Sequence, residues 1–131
     1  MRRYLSVLLL VSVGPIARAG PCARVTGIAS AAQSRDVNYA VASQLGISSV
    51  TVLRSYKSQA WRMLHVRSPG ADDAFLFFHG TPTKHHYVAM WAGAYTAEER
   101  ADAVAWARQH APGVPLVLAK CFAAIVIGDP Q

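Results

Sequence analysis

The chain has 131 residues, 13 basic and 7 acidic side chains for a formal net charge of +6, and 53% hydrophobic residues. That length suits one small domain with a modest core. Arg2, Arg3 and Arg18 fall in the first 19 residues, and the remaining cations are scattered rather than gathered into the stripe of a nucleic-acid binder, so no nucleic-acid partner is expected.

The first element is a leader. Arg2 and Arg3 precede an uncharged, mostly apolar run at residues 4–13, Gly14-Pro15 breaks it, and Ala17-Arg18-Ala19 places small residues where a signal peptidase reads. The run is half the roughly 20 residues a spanning helix needs, so no membrane span is expected once it is removed. The reading is a cleavable secretory signal at 1–19 and a single domain at 20–131, periplasmic or secreted. Loss of the three leader arginines lowers the net charge from +6 to +3.

Residues 20–33 read as an ordered arm carrying Cys22. The second cysteine is Cys121, near the other end. Two cysteines in an oxidising compartment predict a bridge, which would tether the arm and close a loop of about 100 residues. Ser34 then caps a helix through Leu45, with Val37, Ala40, Val41 and Leu45 on one face and Gly46 as its stop. Four strands follow at 50–56, 61–67, 74–79 and 85–92, separated by KSQA, SPGADD and GTPTK. Short connections predict antiparallel hairpins and hence a meander. Thr96-Ala97-Glu98-Glu99 is a capping box that opens a helix to about His110, ended by Pro112-Gly113. The last segment, 116–127, is apolar apart from Lys120 and reads as a buried helix, with a strand at Ile125-Val126-Ile127 as the alternative.

The product is an α+β domain: an N-terminal helix, a four-stranded antiparallel meander and two C-terminal helices. Its order of elements is similar to the cystatin-type layout, in which a sheet wraps one helix. That is a likeness of topology without a shared motif, and it implies nothing about function.

Chemistry is harder to find. A five-residue GTPTK turn would set His79 opposite His85, close enough to share a zinc or copper ion if a third ligand joined them. Of the seven carboxylates, five sit in turns and helix starts, Asp102 on an exposed helix face and Asp129 at the tail, and no nucleophile elbow or phosphate-binding loop is present. No cofactor is therefore expected, and no catalytic set is assigned.

What remains is surface. Strand 74–79 (AFLFFH) is apolar at every position before His79, so both faces of the sheet need cover there. If one face stays partly open, Phe75, Phe77, Tyr87 and Trp91 offer an aromatic binding surface, joined by Lys84, His85 and His86 at the hairpin tip. The resulting expectation is an exported, non-catalytic protein that binds a protein partner, of inhibitor or immunity type, acting on an envelope or secreted hydrolase. Two alternatives stand beside it: a metal-binding protein or small enzyme centred on His79 and His85, and a small-ligand module with a pocket between the first helix and the sheet, lined by Leu53, Trp61 and Met63.

Overall fold

The computed structural model describes residues 12–14, 20–27 and 31–129. The expected leader lies outside these residues apart from 12–14, which are irregular. The elements are β1 (Thr26–Gly27), α1 (Ala31–Leu45), β2 (Thr51–Ser58), β3 (Trp61–Arg67), β4 (Ala74–His79), β5 (Ala89–Ala92), a 3-10 turn (Ala97–Glu99), α2 (Arg100–His110) and α3 (Leu116–Val126). The five strands lie in the order β1-β2-β3-β4-β5, every neighbour antiparallel. The α+β meander is as expected, with the two-residue β1 added at its edge.

Local chemistry sets most boundaries. A two-residue turn at Gln59-Ala60 joins β2 to β3, with Gln59 at a φ of 55°. Gly46 ends α1 at a φ of +69°, the left-handed conformation that glycine adopts without penalty. In the capping box, the Thr96 amide donates to the Glu99 carboxylate at 2.7 Å. Helix α1 starts three residues before the expected cap at Ser34, because Ala31 and Ala32 are good helix formers and extend it backwards. The final segment is helical throughout. Its buried Ala119, Ala123 and Ala124 let it lie close against its neighbours, and the strand alternative is not realised.

The molecule is built in three layers. One face of the sheet presents Leu64, Val66, Leu76 and Phe78 to Val41 and Ala42 of α1. The other presents Tyr56, Trp61, Met63, Phe75 and Phe77 to α2 and α3. On that second face Phe122 of α3 sets its ring edge against Phe75 and Phe77, with centroids at 5.6 and 5.3 Å. Each such fully buried aromatic contributes about 1.5–3 kcal/mol of burial.

This arrangement corrects the open aromatic face. Phe75 is 4% exposed and Phe77 0%, so both are core and neither offers a surface. Trp91 is half-buried on the same face, stacked on Tyr95 at 4.6 Å and edge-on to Trp106 at 5.1 Å. Tyr87 does not join them, since it packs with the α1 cluster on the opposite face. The helix–sheet pocket is corrected for a related reason. Trp61 and Met63 lie beneath α2 and α3, away from α1, and Leu53 is exposed.

Leu53 explains a further departure from simple alternation. The β2–β3 register runs Thr51↔Arg67 and Val52↔Val66, then resumes at Arg54↔His65 and Tyr56↔Met63. Leu53 is thus an extra residue, a β-bulge. Upstream of it Val52 faces α1. Downstream, Arg54 and Tyr56 face α3 instead.

Cys22 and Cys121 form a disulfide with Cα atoms 4.6 Å apart. It pins the arm beneath the start of the sheet, where Val25 is fully buried and its carbonyl accepts from the Lys57 amide at 2.7 Å. Among the described residues no helix is long and apolar enough to cross a membrane.

Candidate functional site

Two regions place polar side chains where a ligand or partner can reach them. The first is the connection between β4 and β5. The β4–β5 ladder ends at Phe77↔Ala89, so residues 80–88 form a loop rather than the tip of a longer hairpin. The expected His79–His85 cross-strand pair therefore does not form. His79 is exposed and stacks on Trp61 of β3 at 4.9 Å. The His85 ring lies over Gly80, so close that a Cβ there would sit 2.5 Å from its Cδ2. Gly80 also has a φ of +111°, so both the close approach and the backbone require glycine. Among the described residues no group of three or more His, Cys, Asp or Glu side chains converges on a metal-sized space.

The loop is held from the other side by a single side chain. Gln44, near the end of α1, donates its amide protons to the carbonyls of Pro82 (3.0 Å) and His85 (2.9 Å). Its own oxygen accepts from the Tyr87 amide at 2.9 Å. Both donors and the acceptor of the carboxamide are thus spent on one loop. Pro82 is buried beneath it, and the amides of Lys84 and His85 both donate to the Thr81 carbonyl at 3.0 and 2.9 Å. The ends are tied by Gly80 N–H to Ala60 O and Val88 N–H to Phe77 O, both 2.7 Å.

On this frame Thr83, Lys84, His85 and His86 are exposed. His86 Nδ1 donates to the Tyr87 carbonyl at 2.9 Å, which leaves Nε2 as the unprotonated nitrogen of the neutral ring. The loop contains no aspartate or glutamate, and Lys84 gives it a cation.

The second region is a cleft of about 530 Å³ at the β1–β2 side of the sheet. Its walls include Arg54, Tyr56 and His65 from β2 and β3, Cys22 from the arm, and Ile125 and Asp129 from the end of α3. His65 is fixed on two sides: its ring stacks on Phe75 at 4.5 Å, and Nε2 lies 3.0 Å from Asp73 Oδ2. Asp73 also takes a bidentate bond from Arg67, at 2.9 and 3.0 Å. The Arg67 bonds above all, aided by His65 and opposed by burial, hold the Asp73 carboxyl below the usual aspartate value. Burial pushes the Tyr56 phenol up, against the pull of the nearby Arg54 charge, which favours the protonated hydroxyl. Asp129 is paired with Arg100 at the start of α2. Arg54 has no ion-pair partner among the described residues.

The sequence located the first region but misdrew its geometry, and it missed the second. Lys84, His85 and His86 are together and exposed as expected, whereas Phe75 and Phe77 are buried and Tyr87 and Trp91 lie on opposite faces. His65, Arg54 and Asp73 gave no signal at fixed spacing, because a bulge and a six-residue turn bring them together. Comparison of the chain with family models, curated proteins and solved structures returns no match.

Proposed function

We propose that the protein is an exported, non-catalytic binding protein that presents its 80–88 loop to an envelope or secreted hydrolase, in the manner of an inhibitor or immunity-type protein. One observation carries the reading: the Gln44 clamp, which spends a whole carboxamide on holding an exposed loop in one shape. A loop ordered before it meets its partner avoids the entropy of ordering on binding, about 0.5–1.5 kcal/mol for each immobilised side chain. Lys84, His85 and His86 give it a basic tip, which selects an acidic surface and steers approach to it. The Cys22–Cys121 bridge is at home in an oxidising compartment and supports export.

The test is capture. The disulfide-bonded protein and a variant carrying Lys84→Ala, His85→Ala and His86→Ala are immobilised and exposed to envelope and secreted extracts. A hydrolase retained stoichiometrically by the parent, inhibited by it, and lost on the variant is the expected result. Equal retention by both proteins, or no hydrolase on either, refutes the proposal.

A further inference from the structure

We infer that the cleft beside β2 is a binding site for a small organic monocarboxylate. Its architecture is independent of the loop, on the far side of the sheet from β5.

The argument begins with the bulge. Had β2 kept regular pairing past Val52, Leu53 would lie opposite His65, and Arg54 would share a face with Val52 and point toward α1. The register shift between Val52 and Arg54 turns it to the α3 side, directly opposite His65. Bulges that re-aim a side chain are over-represented beside functional sites. Here one brings a guanidinium to the wall of a concave space whose volume, about 530 Å³, falls in the ordinary range for small-ligand sites.

The charges of that space then decide the ligand. Asp73 is occupied by Arg67 and His65, and Asp129 by Arg100. Among the described residues of the wall, the unmatched charge is the cation Arg54. Tyr56 supplies a phenolic proton and His65 an imidazole whose ring is already oriented by Asp73 and Phe75. One planar guanidinium with the neighbouring Tyr56 phenol as a further donor matches the two oxygens of a carboxylate, while His65, whose Nε2 proton is held by Asp73, walls the cleft with its ring. A doubly charged phosphate is matched less well, because Asp129 lies in the same wall and one arginine offsets only one charge. Ile125 and the disulfide give an apolar floor, which suits a ligand with a compact hydrocarbon body.

The experiment is an NMR titration of the disulfide-bonded exported protein with benzoate, run beside benzamide and inorganic phosphate. The expected result is saturable shifts at Arg54, Tyr56 and His65 with benzoate, none that saturate with benzamide, and weaker binding of phosphate. Arg54 is exposed, so Arg54→Gln leaves the fold intact, as unchanged resonances in α2 verify. It should weaken benzoate by about tenfold or more, the value of a lost charge-assisted bond. Arg54→Lys, which keeps the charge but loses the fork, should also weaken it. No saturable shift at these residues overturns the inference. So does benzoate binding unchanged in Arg54→Gln, or phosphate binding as tightly as benzoate.

Discussion

Gln44→Met is the most informative single change to the loop. Methionine keeps the length and apolar stem but removes both donors and the acceptor, so the carbonyls of Pro82 and His85 and the amide of Tyr87 lose their partner together. A hydrogen bond of this kind is worth about 0.5–1.5 kcal/mol net. The site is only part-buried and water can replace some of the loss, so the lower half of that range applies. Three bonds then amount to about 2 kcal/mol, or roughly 6–10 °C in Tm for a domain of this size. Urea unfolding gives the stability, and amide exchange locates the effect. Tyr87 should lose nearly all its protection, while Met63 in the buried centre of β3 should change only by the global loss. Gln44→Glu should be at least as damaging, since it keeps an acceptor for Tyr87 but turns a carboxylate toward two carbonyls. A Gln44→Met protein within about 0.5 kcal/mol of the parent, with Tyr87 still protected, would refute the clamp.

Replacing both cysteines, Cys22→Ala with Cys121→Ala, releases a loop with a sequence separation of 99 and should cost about 4–5 kcal/mol on the chain-entropy model, read as a fall in the urea midpoint. Phe122→Ala removes the ring that Phe75, Phe77 and Trp106 share and should cost about 3–5 kcal/mol in the same assay. Gln59→Gly relieves a left-handed backbone in the β2–β3 turn and should raise stability by about 0.5–1 kcal/mol, seen as a higher Tm. For Asp73 the unfolded chain takes up its proton first as pH falls, because the folded carboxyl is held below the ordinary aspartate value. Its contribution is fully present above that value and is lost as pH drops through it toward the lower folded one. Asp73→Asn should therefore flatten the decline of stability in the acid range, measured by urea unfolding from about pH 5 down to about pH 2.

The layer order was legible because hydrophobic patterning reports it directly. AFLFFH has no polar alternation, and both of its faces are covered. Thr96 and Glu99 announced α2, and the cysteines announced their bridge. The site was less legible, for physical reasons. VTVLRSY alternates only as far as Val52, and the apolar pair Val52-Leu53 followed by Arg54-Ser55 does not by itself specify a bulge, which is defined by the pairing with β3. His65 and Asp73 meet because the six-residue turn returns β4 in a register that sets Phe75 beside His65. Gln44 reads as one more polar residue on a helix, and its role depends on a loop 38 to 43 positions away. The aromatic residues misled in the opposite direction. Phe75 and Phe77 were apolar enough to suggest a surface in so short a chain, yet α2 and α3 suffice to cover them.

The central claim is that the 80–88 loop is the contact surface for a protein partner. A photo-crosslinking residue placed at position 83 in the loop, or at position 101 on the exposed side of α2, tests it most directly; both native residues are exposed. Irradiated with the captured hydrolase, the protein labelled at 83 should give one specific covalent product at the mass of a one-to-one complex, and the protein labelled at 101 should give none. A product from 101 and not from 83 would contradict the account.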